Sequence, residues 1–331
     1  MSDLIEGQPL PAPTNRRRPE AIRAVPVRHP WRWVAAAVVL LFAFAVVYTF
    51  ATAKDLQWSV VGQYLFNDRI MGGALITLEL TAIAMIIGVG LGGLMAVMRL
   101  SVNPVMSSVS WFYIWFFRGT PVLVQIYFWF NIAFILPSLT LGIPFTHLSY
   151  TVILIQVDTP IMAAILGLGL NEAAYMAEII RAGIISVDHG QTEAAQALGM
   201  TRSQVTRRII IPQAMRVIVP PTGNETISML KTSSLAYIAT VGELFFIQKE
   251  FSDANYRPIE LLIVVSIWYL AMTSVLTFIQ YYIERHYARG SVRMLPPTPL
   301  QRFRRLFFQF HAAVPYADDA EPLPPVIDRW G

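Results

Sequence analysis

From Trp33 to Ala53 the chain carries no charged residue, and most of its side chains are Ala, Val, Leu or Phe. That length matches the roughly 20 apolar residues a helix needs to cross the hydrocarbon core of a bilayer. Inside such a core no water serves the backbone, so each N–H and C=O must be satisfied within the segment, which points to helix. Five further segments are long and mostly apolar, 71–98, 121–141, 160–180, 218–238 and 258–283, and together with 31–53 they predict six spans. The fourth and fifth carry more polar residues than the others. Only 14% of the residues are charged, against about a quarter in soluble domains, so the expected fold class is an all-α membrane protein.

Basic residues set the orientation, because cytoplasmic loops are enriched in them. With the N-terminus inside, Arg16, Arg17, Arg18, Arg23, Arg28 and Arg32 are cytoplasmic, as are Arg99, Arg118, Arg181, Arg202, Arg207, Arg208, Arg216 and the arginines from Arg285 onward. Only Lys54, Arg69, Lys249 and Arg257 fall outside, and Lys231 lies within a span. Both termini are therefore expected in the cytoplasm. Ala51-Thr52-Ala53 resembles a signal-peptide cleavage site, but the apolar run is longer than a signal core, so 31–53 reads as a retained anchor. Residues 1–30 read as a disordered basic tail. In the second tail, 291–331, the segment 301–310 places Phe303, Leu306, Phe307 and Phe310 at helical spacing among arginines. A helix lying on the membrane surface and a basic disordered tail both fit it.

No cysteine is present, which excludes disulfides, thiolate metal sites and cysteine catalysis. Neither HExxH nor GxSxG occurs, and the five histidines lack metal-ligand spacing. A membrane-embedded enzyme thus has no signature here. No metal, cofactor or nucleic-acid partner is expected for the chain itself.

One stretch interrupts the apolar pattern: GQTEAAQALGMTRSQVTRRIIIPQA, from Gly190 to Ala214. Thr192 can cap a short helix with Glu193 in its first turn, where the dipole favours negative charge. Gly199 supplies a left-handed stop, and Thr201-Arg202-Ser203-Gln204 fits a capping box that opens a second helix, expected to end near Pro212. The result is a knuckle of two short capped helices meeting at a glycine, and Ala194, Ala195 and Ala197 are small enough for a partner to approach closely.

The order Glu193-Ala194-Ala195, Gly199, Ile209-Ile210-Ile211-Pro212 resembles the Glu-Ala-Ala signature of permease subunits of ATP-binding-cassette (ABC) importers, with isoleucine where leucine is usual. FFRGTPVLVQ (Phe116 to Gln125), LNEAAYMAEIIRAGIISV (Leu170 to Val187) and PPTGNETISMLKTSSLA (Pro220 to Ala236) strengthen it. Together they resemble the polar-amino-acid subgroup, the histidine/glutamine/glutamate type. The likeness extends over about residues 70–290, leaving 31–53 as an extra span outside a five-helix core. It implies a type I importer fold, with the loop 186–212 as coupling helix and Glu193, Ala194, Ala195, Gly199 and Pro212 seated in an ATPase. The phosphate-loop pattern GxxxxGK[ST] is absent, so two separate ATPase subunits would bind ATP and Mg. The other implied partners are an extracytoplasmic amino-acid-binding protein, a second permease subunit, identical or sister, the amino acid, and the lipid bilayer. Localisation in a bacterial inner membrane follows from the same likeness.

Ionisable side chains inside spans are costly and point to function. Asn171, Glu172 and Tyr175 fall near the middle of the fourth span, whereas Glu178 and Arg181 are spaced to pair near its inner end. In the fifth, Pro220-Pro221 removes two donors and Gly223 loosens the helix, before Asn224, Glu225, Lys231, Ser233 and Ser234. Interrupted helices facing a cavity are how transporters build substrate sites. Glu172 or Glu225 suits an ammonium; Lys231, Ser233, Ser234 or freed backbone amides suit a carboxylate. Glu225 and Lys231 balancing charge across a subunit interface remains the other reading. GVGLGG (Gly88 to Gly93) lies mid-span and predicts close helix packing. Thr120-Pro121 predicts a helix start, with Arg118 just before it at the inner interface. An ATPase-independent secondary transporter or channel would explain the polar spans but leaves the knuckle without a purpose.

Overall fold

The computed structural model describes residues 30–142, 149–153 and 159–287. Apart from Pro30, the tail expected over 1–30 lies outside the described residues, as does the tail 291–331 with its 301–310 segment. The chain divides into two compact units, Met1–Leu56 and Gln57–Gly331. In the first, the apolar run forms helix α1 (Pro30–Ala51), whose described side chains are all exposed.

The second unit begins with α2 (Trp58–Leu65), followed by the long α3 (Asp68–Arg99), whose N-cap Asn67 accepts from the Arg69 amide. Next come α4 (Pro104–Gly119), α5 (Val122–Phe130) and the single turn α6 (Ile132–Ile135). A two-stranded antiparallel ribbon, β1 (Ser138–Gly142) and β2 (Ser149–Ile153), pairs Ser138 with Ile153 and Gly142 with Ser149. It is an addition to the otherwise helical fold. Then follow α7 (Pro160–Ile185), α8 (His189–Ala197), α9 (Arg202–Val205) and α10 (Ile211–Thr232). A 3₁₀ segment (Ser233–Ala239), α11 (Leu244–Asn255) and α12 (Pro258–Tyr287) complete the described chain.

Among the described residues, four helices are long and apolar enough to cross a membrane, those containing 33–51, 68–99, 160–185 and 258–287. The segment Arg202–Ala239 with α11 qualifies as a pair bent by 51°. The expected span at 121–141 is built differently. Of that segment only α5 and α6 are helical and residues 138–142 belong to the ribbon, while a separate helix, α4, precedes it from Pro104, where Asn103 caps and proline occupies the first turn. Ser107, Ser108 and Ser110 dilute the apolar signal of α4, which hid it; Ser110 donates to the Met95 carbonyl at 2.7 Å and is buried by that bond.

Small residues decide the packing at the centre. A Cβ on Gly92 of α3 would lie 2.8 Å from the Ala173 carbonyl and 3.0 Å from the Ala177 amide of α7. A Cβ on Gly169 of α7 would meet Ile87 of α3 at 3.0 Å. Backbones this close gain dispersion contacts that lipid cannot supply, as expected for Gly88–Gly93. One core joins Leu80, Ala84, Ile126, Leu168, Met176 and Met229, drawn from α3, α5, α7 and α10. A second joins Val61, Ile70, Leu230, Leu244 and Val264, tying α2, α10, α11 and α12 to the start of α3.

Candidate functional site

The site begins with a missing donor. Pro121 has no N–H, so the carbonyl of Phe117, four residues earlier, loses its helical partner. Thr120 is extended at ψ 141°, the conformation favoured before proline, and α4 ends there. Two side-chain amides reach the freed carbonyl: Gln125 Nε2 at 2.9 Å and Asn171 Nδ2, from α7, at 2.7 Å. The turn Gly119-Thr120-Pro121 is thereby fixed against the middle of α7.

Arg118 projects from this turn, its guanidinium carbon 5.1 Å from the centre of the Tyr175 ring. It lies beside the interior of α7 and, as the sequence predicts, just before a helix start, that of α5 at Val122. Arg118, Thr120, Pro121, Asn171, Glu172, Tyr175, Glu225, Ser228 and Thr232 line a cavity of about 540 Å³. Glu172 is buried, and among the described residues its Oε1 finds no hydrogen-bond donor. Its side chain fits because Gly88 of α3 has none: a Cβ there would approach Glu172 Cγ to 2.5 Å. Two carboxyl groups and one guanidinium thus border one cavity, a set suited to a ligand carrying both an anionic and a cationic group.

The remaining span residues singled out from sequence lie elsewhere. Asn224 is exposed outside this cavity. Lys231 and Ser234 border a separate groove with Ser266, Tyr269 and Thr273. Ser233 is buried and donates to the Leu230 carbonyl at 2.8 Å. The helix continues through Pro220-Pro221 without interruption and changes to 3₁₀ only at Ser233, so the expected break sits a dozen residues late. Glu178 and Arg181 pair at 2.7 Å, as their spacing predicts.

The knuckle is present, with its caps partly reassigned. Asp188, not Thr192, caps α8, accepting from the Gly190 amide at 2.7 Å, and Glu193 consequently lies beyond the first turn. Gly199 takes φ +79°. The capping box forms as expected, Thr201 and Gln204 bonding each other's backbone amides. The second helix does not end near Pro212. It passes through a π turn (Thr206–Ile210) directly into α10. There the Ile211 amide bonds the Thr206 carbonyl, a widened register that accommodates the donor missing at Pro212. Glu193, Ala194, Ala197 and Gly199 are exposed, Leu198 is 84% exposed, and Ala195 is turned into the fold. An exposed leucine on a polar knuckle had no distinguishing signal in the sequence.

Comparison with known proteins gives a consistent picture. Residues 88–289 match the family described as binding-protein-dependent transport system inner membrane component. The chain is 45% identical over 301 residues to the arginine transport system permease protein ArgU of Corynebacterium glutamicum, covering 91% of this chain and 92% of that one. It is 37% identical over 213 residues to the nopaline transport system permease protein NocM of Agrobacterium fabrum, covering 63% and 83% of the two chains. Among solved structures, a crystal structure of an amino acid ABC transporter with histidines aligns at 35% identity and a TM-score of 0.57, covering 66% of this chain and 94% of that one.

Proposed function

Because this chain belongs to the family of binding-protein-dependent transport system inner membrane components, as a permease subunit of an amino-acid ABC importer, we propose that its charged cavity receives the amino acid and its knuckle receives force from a separate ATPase. The observation that carries the first half is the meeting of Arg118, Glu172 and Glu225 around one cavity. Arg118 takes the α-carboxylate in the planar, two-point manner guanidinium favours. One carboxyl group takes the α-ammonium, and the second is left for a positively charged side chain. A cationic amino acid satisfies all three, in keeping with the arginine transport named for the relative in Corynebacterium glutamicum.

The second half rests on continuity of one helix. The capping box at Thr201 opens a helical path that runs into α10, and α10 carries Glu225 and Ser228 to the cavity. Displacement of 186–212 is transmitted to the cavity wall along a single element. Two ATPase subunits supply ATP and Mg, a binding protein delivers the amino acid on the extracytoplasmic side, and a second permease subunit completes the pathway. The chain makes and breaks no bond itself.

The test is ATP-driven arginine uptake by the complete complex in vesicles. Glu172→Gln and Glu225→Gln each lower it about tenfold, the order of effect of losing a charged hydrogen bond. Gly199→Pro leaves ATP hydrolysis running while uptake falls. Normal uptake of every amino acid by both glutamine variants removes the cavity from the pathway.

A further inference from the structure

Gln125 does not line the cavity, yet it is buried and its Nε2 is committed to the turn that carries Arg118. Its Nε2 lies 2.9 Å from the Phe117 carbonyl, 3.1 Å from the Thr120 carbonyl and 2.8 Å from the Thr120 hydroxyl oxygen. That hydroxyl donates in turn to the Phe116 carbonyl at 2.9 Å. The direction of the amide is determined by its surroundings. Reversing it would set Oε1 against two carbonyl oxygens, and in the orientation observed Oε1 has no partner among the described residues. A buried acceptor left unsatisfied is costly; two facing oxygens would cost more. The position therefore demands a donor, and the donor's three acceptors bracket Arg118 and Gly119 in sequence.

We infer that Gln125 is a positioning residue of the carboxylate subsite: by holding Phe117 and Thr120 it aims Arg118 at the ligand's carboxylate, without touching the ligand. The inference rests on the reading of the cavity given above. Asn171 holds the same Phe117 carbonyl from the α7 side, so the turn is fixed from both flanks, and Gln125 is the support that lies behind it. Without that support the backbone on either side of Arg118 loses its fixed path, and the guanidinium loses its place over Tyr175. Small errors in the orientation of a recognition group carry large penalties.

A purely structural role and a positioning role separate with two ligands, arginine and its decarboxylated analogue agmatine, which keeps the guanidinium and amine but has no carboxylate. Binding of each to the purified complex is measured by calorimetry for wild type, Gln125→Leu, Gln125→Glu and Arg118→Lys. The expected result is that Gln125→Leu weakens arginine about tenfold and leaves agmatine within about twofold, with Gln125→Glu at least as severe, an effect of the size of one lost hydrogen bond. Equal weakening of both ligands, or no change in either, overturns the inference. If Gln125→Leu fails to assemble, Gln125→Asn, which keeps the donors one methylene short, decides by the same ratio of arginine to agmatine affinity. Arg118→Lys is the separate control. Should it leave that ratio unchanged, or should neither ligand bind wild type, the reading of the cavity itself has failed, whatever Gln125 does.

Discussion

Pro121 and Pro220-Pro221 both lie in segments that contribute residues to the cavity wall, and only Pro121 marks an interruption of helix. At Pro121, α4 ends in an extended Thr120 and the chain restarts as α5. At Pro220-Pro221, α10 runs on as helix for another eleven residues to Thr232, although each proline withholds a donor and Pro221 disfavours a helical residue before it. The difference lies in the neighbours. Side chains positioned to receive the freed Phe117 carbonyl, Gln125 and Asn171, stabilise the opened turn. Around Pro220 the neighbours instead hold the helix from the side. Gln280 of α12 donates to the Pro220 carbonyl at 2.9 Å and to Glu284 at 2.8 Å. Its amide occupies the space where a Gly223 side chain would stand, and the Thr222 hydroxyl donates back to Ile218 at 2.8 Å. A proline thus removes one bond; what the chain does next is decided by which acceptors and clamps the packed fold supplies.

The contrast is broken most directly at Gly223. A Cβ there would coincide with the Gln280 amide, and Gln280 is buried with its hydrogen bonds committed. Gly223→Leu is expected to cost ~3 kcal/mol or more, at the upper end of overpacking effects, and to appear as a large drop in melting temperature of the purified complex. A variant that melts with wild type would show that α12 does not press on α10 at this point. Gln280→Leu removes the clamp's hydrogen bonds while keeping its bulk. The expected loss is smaller, about 1–2 kcal/mol, the usual cost of one buried bond and its orphaned acceptor, read by the same melting measurement.

What the sequence disclosed and what it hid divide along the same line between local and distant causes. The long apolar runs of α1, α3, α7 and α12 and the capping box at Thr201 were legible because each is determined within a few neighbouring residues. The cap of α8 was read at Thr192, whereas Asp188, four residues earlier, takes that place. Asn171 and Glu172 were legible as polar residues in a span; that Glu172 owes its place to Gly88, on another helix, was not. Arg118 was legible beside a helix start, but its place at the cavity was hidden for a compound reason. Three serines masked the helix in front of it, and the groups that aim it, Gln125 and Asn171, act on a carbonyl that only a proline had vacated. Lys231, Ser233 and Ser234 looked equivalent to Glu225 by polarity, but Lys231 lies off the helical face that Glu225, Ser228 and Thr232 share, and Ser233 and Ser234 belong to the 3₁₀ segment and meet other surroundings.

The smallest expected effect is the most informative about why α10 stays helical. Pro221 is exposed, and so is Val217, whose carbonyl its missing N–H leaves without a helical partner. Pro221→Ala restores that donor and relieves the clash of the ring with the preceding turn, both favourable to helix. Against this, alanine gives the unfolded chain more freedom, worth about 0.4–1 kcal/mol. Much of the usual ~3 kcal/mol penalty for proline in a helix comes from buried or unrelieved carbonyls, and an exposed one can be served by water or lipid headgroups. The two sides nearly cancel, and the variant is expected to melt within about 1 kcal/mol of wild type, on the stabilising side. A loss of more than about 2 kcal/mol would mean that α10 needs the ring's fixed φ to hold its course, and that the clamp at Gln280 follows from the proline instead of overruling it.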